Sequence, residues 1–224
     1  MWTDFFDKIY LINLAKRKDR LEQATEQLNR YNIPFERIEA IEHENGADGL
    51  RLTMEGIFNE SIANDFRNIL VFEDDIDIIE PSINQVMENV LIDVPDYDMI
   101  LLGCQLCQVP TEWYNEHLLK VQSAYATHAV MYSFGGIKKI INRGLPMFQP
   151  IDNTLVQQIQ PDGKTFAVYP ILASQVISHS DIYTREPEQN WKPHLEEKYW
   201  NRMRMMQINN NFHPKAKPII YYHG

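Results

Sequence analysis

The chain has 224 residues, of which 44% are hydrophobic and 23% charged, values that disfavour disorder, collagen and coiled coil. Asp plus Glu number 31 against 21 Lys plus Arg, and the net charge of −10 makes nucleic acid a poor partner, although a local basic pocket can still hold one nucleotide. Two cysteines among nine methionines, no basic leader before an apolar run and no stretch of about 18 apolar residues together read as a cytoplasmic protein without a membrane span.

Residues 8–14 (KIYLINL) form a short apolar run, the mark of a buried strand. Over 16–31, Leu21, Ala24, Leu28 and Tyr31 recur at three- and four-residue spacing, which predicts a helix with one face on a sheet, stopped by Pro34. Residues 35–41 (FERIEAI) alternate as a half-buried strand, and the polar stretch with Gly46 and Gly49 reads as a loop. A helix is expected over 53–66, weakened by Gly56. Residues 69–72 (ILVF) are the clearest buried strand, ending abruptly in Glu73, Asp74 and Asp75. A helix over 82–91, strands over 98–102 and 129–134 and a helix over 135–142 follow. Strands alternating with helices predict an α/β fold with a mostly parallel sheet flanked by helices.

The carboxylates stand where ligands bind in open α/β sheets, at the carboxyl end of a strand. Such close carboxylates repel one another, and Mn²⁺ or Mg²⁺ held with substrate phosphates is their natural neutraliser. The bland alternative is a solvated acidic turn. By spacing, Glu73 and Asp75 share one side of an extended chain and Asp74 faces the other way or holds the loop.

The string YLINLAKRKDR at residues 10–20 resembles the opening signature of family 25 glycosyltransferases, the lipopolysaccharide and collagen galactosyltransferase relatives. LVFEDDI at 70–76 resembles the Glu-Asp-Asp motif of that family, its form of the DxD metal site. DMILLG at 98–103, THAVMYSFGGIKKII at 127–141, PID at 150–152 and YPILASQ…SDI within 169–182 resemble later blocks in the same order. Between residues 42 and 68 the chain departs from the pattern, lacking the family's Ser-His pair.

The resemblance implies a single GT-A-like domain over residues 1–184, with 185–224 a C-terminal helical extension. It also implies inverting transfer of a sugar, galactose or a related hexose, from a UDP-sugar to a hydroxyl of a glycan or protein acceptor. In that frame Asp75 is the direct metal ligand, and Glu73 a second ligand or a contact to the sugar and ribose. Asn13 and Arg20 lie just past the first strand, where a nucleotide meets a helix N-terminus, and Arg20 would pair with phosphate or stack on the base. Asp152 would be the base that takes the acceptor proton, with a helix N-cap as its rival role. His179 would supply a late metal ligand.

Cys104 and Cys107 form a bare CxxC without the further ligands that zinc requires. The stripe Trp200, Met203, Met206 and Gln207 suits core packing or a homodimer contact equally. Two rival functions remain. One is a transferase-like domain that binds a nucleotide-sugar or glycan without turnover. The other takes Asp75 and Asp77 as the aspartyl-phosphate motif of a haloacid-dehalogenase-type phosphohydrolase.

Overall fold

The computed structural model describes residues 1–106, 112–143 and 150–176. The expectations for Cys107, His179, the stripe at 200–207 and the extension 185–224 lie outside these residues.

In chain order the elements are α1 (Trp2–Phe5), β1 (Lys8–Asn13), α2 (Lys18–Arg30), β2 (Glu36–Glu39), α3 (Gly46–Ala63), β3 (Asn68–Glu73), β4 (Ile76–Ile78), α4 (Ile83–Ile92) and β5 (Met99–Leu101). There follow β6 (Gln105–Leu106), β7 (Glu112–Trp113), β8 (Leu118–Lys120), β9 (Ala124–Tyr125), β10 (Ala129–Ser133), α5 (Phe134–Arg143), α6 (Ile151–Thr154), β11 (Thr165–Val168) and β12 (Ala173–Gln175). The helical path of α6 continues through a π-helical turn, Leu155–Ile159.

Eight strands make one sheet in the order β2-β1-β3-β10-β5-β11-β8-β7, and β12 pairs with β4 as a separate ribbon. The pairs β1–β2, β1–β3 and β5–β11 are parallel, whereas β10 runs antiparallel between β3 and β5, and β8 antiparallel to β11 and β7. The α/β class therefore holds, but the sheet is mixed rather than mostly parallel. Inserting β10 in reverse still leaves β1, β3, β5 and β11 pointing their carboxyl ends the same way.

The two-residue side-chain period of the strands divides the core into two layers. Ile9, Leu11, Leu70, Phe72, Ile100 and Met131 face α2 and α4, meeting Leu28, Ile83 and Met87. Tyr10, Val71, Leu101, Val130 and Tyr132 face α3 and α5, meeting Ile57, Phe58 and Ile137. Helix α3 begins seven residues earlier than the sequence predicts. The Asn45 side chain caps it by accepting from the Ala47 N–H at 3.1 Å. Gly49 is needed there because a Cβ would lie 2.4 Å from the Ile41 carbonyl oxygen. What reads as loop-forming glycine is thus a close helix-to-loop approach. Among the described residues no helix is long and apolar enough to cross a membrane.

Candidate functional site

Strands β1 and β3 lie side by side and end together, with Ile12 opposite Glu73. The acidic run does not continue β3 as extended chain. Asp74 and Asp75 form the turn into β4, so the two-residue alternation that would have put Glu73 and Asp75 on one side stops at Glu73. Each carboxylate instead acquires its own partners.

Asp74 is buried and fully engaged: Asn13 Nδ2 donates to one oxygen at 2.7 Å and Arg20 Nη1 to the other at 3.1 Å. Asn13 is itself 1% exposed and spends its amide inside the protein. Its Nδ2 also donates to the Arg17 carbonyl oxygen at 2.9 Å, and its Oδ1 accepts from Arg37 Nε at 3.1 Å. Arg20 sits one turn into α2 with its guanidinium turned inward, 3.8 Å from Asp75 as well. It is the internal counter-ion of the acidic turn, not an exposed basic helix start. Arg37 was invisible in the sequence, because nothing in an alternating strand marks one arginine as bonded to the neighbouring strand's asparagine.

Asp75 is less satisfied. Its Oδ2 accepts from Gln175 Nε2 of β12 at a long 3.4 Å. Its Oδ1 is buried and has no hydrogen-bond partner among the described residues. Burial pushes the Asp75 carboxyl up to about 6 despite the nearby Arg20 guanidinium. Burial, and then the charge of Asp75, push Glu73 further, to about 8, against a 2.6 Å hydrogen bond from Thr127 Oγ1. The charges of Asp152 and Asp74 act on Glu73 in the same direction. Asp152, 79 residues later in the chain, is therefore brought into the same electrostatic neighbourhood.

Asp152 lies in the first turn of α6, whose N-cap is Pro150, so the N-cap role is not the one it fills. Its carboxylate accepts from the Asn153 N–H at 2.9 Å, and burial raises its pKa. Asp77 lies within β4, opposite Ser174 of β12. Among the described residues no three His, Cys, Asp or Glu side chains converge as a complete metal donor set. Asp75 Oδ1 with half-buried Glu73 could hold Mg²⁺ or Mn²⁺ as the small number of protein ligands that such an ion takes when phosphates supply the rest.

These raised values set the sign of a pH effect. The folded protein holds protons on Glu73 and Asp75 that an unfolded chain loses near pH 4 to 5, so deprotonation favours unfolding. The stability of the metal-free protein is expected to fall as pH rises from about 5 towards about 8. Glu73→Gln should flatten the upper part of that decline in a urea-unfolding series. An unchanged slope would show that Glu73 is ionised in the fold.

The fold and the carboxylate turn define an α/β protein with a site at its strand ends. Comparisons with known proteins find local similarity to one family. The model of glycosyltransferase family 25 (LPS biosynthesis protein) matches residues 6–53. This match spans β1, α2, β2 and the start of α3, hence Asn13, Arg20 and Arg37. The protein named "Probable inactive glycosyltransferase 25 family member 3" from Bos taurus is 24% identical over an alignment covering 67% of this chain and 31% of its own length. Over these stretches the chain is similar to glycosyltransferase family 25, as the sequence motifs imply, and it spans about a third of that relative.

Among solved structures, A197 from STIV aligns with 11% identity over 76% of this chain and 85% of that one, TM-score 0.49. A glycosyltransferase involved in glycosylation of the major capsid of PBCV-1 is 14% identical over 71% and 80%, TM-score 0.45. A Drosophila β1,4-galactosyltransferase 7 mutant, solved with manganese, UDP-Gal and xylobiose, is 11% identical over 87% and 79%, TM-score 0.45.

Proposed function

We propose that the protein is a GT-A-type glycosyltransferase that moves a hexose from a UDP-sugar to a hydroxyl of a glycan or protein acceptor. The observation that carries this reading is the Oδ1 of Asp75, buried in the turn after β3 beside Glu73 and without a hydrogen-bond partner among the described residues. A buried carboxylate oxygen without a donor is costly unless a cation or a ligand donor completes it. Asp75, with Glu73, would hold Mn²⁺ or Mg²⁺ together with the donor diphosphate. The bound ion would offset the charge that develops on the leaving nucleoside diphosphate.

The chain's own residues have separate tasks. Arg20 and Asn13 clamp Asp74 and so fix the turn that presents Asp75. Asp152, which burial holds above the ordinary carboxylate range, would take the acceptor proton. His179, by resemblance, would complete the metal site once donor is bound.

The test is thermal unfolding with Mn²⁺ and a panel of nucleotide-sugars. One UDP-sugar should raise Tm by several degrees only when the ion is present, and Asp75→Asn should abolish the rise. No donor-dependent rise across the panel overturns the reading. A second reading, a domain that binds the donor without turnover, is favoured by the missing Ser-His pair and by the name of the bovine relative. Donor-dependent stabilisation without hydrolysis or transfer would select it.

A further inference from the structure

We propose that Thr127 is a positioning residue for Glu73, presented by a backbone kink at Ala126. The inference rests on reading Glu73 as part of the donor site. Two contacts from one short segment grip Glu73. Thr127 Oγ1 donates to its Oε1 at 2.6 Å, and the Glu73 N–H donates to the His128 carbonyl oxygen at 3.0 Å. Side chain and main chain are thus held from the same side.

The segment is itself held in a conformation that its sequence does not favour. Ala126 adopts φ 81°, in the left-handed region where a Cβ is strained. Such a conformation persists only where its surroundings over-determine it, and it recurs at sites where geometry matters. Here the surroundings are identifiable. His128 is 1% exposed, with Nε2 3.2 Å from the Ala173 carbonyl oxygen, and Ala173 opens β12. Gln175, two residues on, reaches Asp75, and the Val176 N–H donates to the Asp75 carbonyl oxygen at 2.7 Å. One belt therefore runs from Ala126 through Thr127 to Glu73, and through His128 and β12 to Asp75. Its role is to fix the spacing of the two carboxylates when both are ionised to hold a cation, a state in which they repel one another.

A hydroxyl is needed at position 127, but the methyl of threonine is not. Thr127→Val keeps the shape and removes the donor; Thr127→Ser keeps the donor. Calorimetric titration of UDP in the presence of Mn²⁺ should show affinity falling roughly tenfold in Thr127→Val, the usual consequence of losing a hydrogen bond to a charged group. Thr127→Ser should stay within about threefold of wild type. A structural role alone would lower Tm in both without separating their affinities, and equal affinities in all three proteins overturn the proposal. If the wild type binds no UDP, the proposed function fails on its own. Crystal structures of the valine and serine variants then decide: displacement of the Glu73 carboxylate in the first only supports positioning, and an unmoved carboxylate refutes it. Should Thr127→Val not fold, Thr127→Ala takes its place in both measurements.

Discussion

Arg20→Met is expected to destabilise the protein by about 3–5 kcal/mol at neutral pH, the usual cost of leaving a buried ion pair with one member. Arg20 and Asp74 are 11% and 10% exposed at their side chains, so water cannot replace the lost guanidinium. The loss also reaches Asp75, because Arg20 is the group that holds its carboxyl down against burial. Two controls separate charge from packing. Arg20→Met with Asp74→Asn should recover much of the loss, since the amide needs no counter-ion. Lowering the pH should shrink the cost of Arg20→Met, because the orphaned carboxylates can then take up protons. Urea unfolding of the two variants at neutral and acid pH measures both effects. A cost below about 1 kcal/mol, as for an exposed pair, would show that the guanidinium is solvated.

Gly103→Ala should be comparably damaging, and for a steric reason. A Cβ at this position would stand 1.9 Å from the Ala173 carbonyl oxygen and 2.6 Å from His128 Nε2. The Leu172 N–H donates to the Leu102 carbonyl oxygen at 2.8 Å, so the segment entering β12 lies directly on the end of β5. Relief requires moving backbone, not a side-chain tip. A loss of about 3 kcal/mol or more is expected, at the upper end of overpacking effects. The added methyl also pushes β12 outward, so the Asp75 environment should change even where the protein still folds. Amide chemical shifts of residues 75–78 and 173–176 report this, and shifts unchanged in a folded Gly103→Ala protein would show that β12 does not rest on Gly103.

Much of this arrangement was legible from residues near one another in the chain. KIYLIN and NILVFE are apolar runs with sharp polar ends, so β1, β3 and the position of the carboxylates could be read directly. The family match over residues 6–53 falls on the same opening block that carried the motif reading. What could not be read depends on contacts between distant segments. Strands β8 and β12 have three residues each, too short for a period to declare itself, and they gain their identity from β11 and β4. The reverse direction of β10 leaves no trace in AVMYS, which is as apolar as a parallel strand buried on both faces. Asp74 and Asp75 form a turn because Arg20, Asn13 and Gln175 receive them, and a strand-end sequence does not list its receivers. Thr127 carries no mark in the sequence for the same reason, since its significance lies wholly in its hydrogen bond to Glu73.

The partners of the acidic turn are far apart along the chain. Asn13 and Asp74 are separated by 61 residues, Thr127 and Glu73 by 54, and Gln175 and Asp75 by 100. Contacts at such separations are slow to form, because the entropy of closing each loop is spent before the contact returns anything. The β1–β2 and β1–β3 pairings can assemble from the first 73 residues, whereas the turn acquires its last partner only when β12 docks. The turn is therefore complete only when the segments from Asn13 to Gln175 have come together. A chain emerging during synthesis carries its carboxylates long before it carries the cage that gives them their properties. Any ligand that requires the completed turn will recognise only the finished fold, and will stabilise the whole domain instead of one local segment.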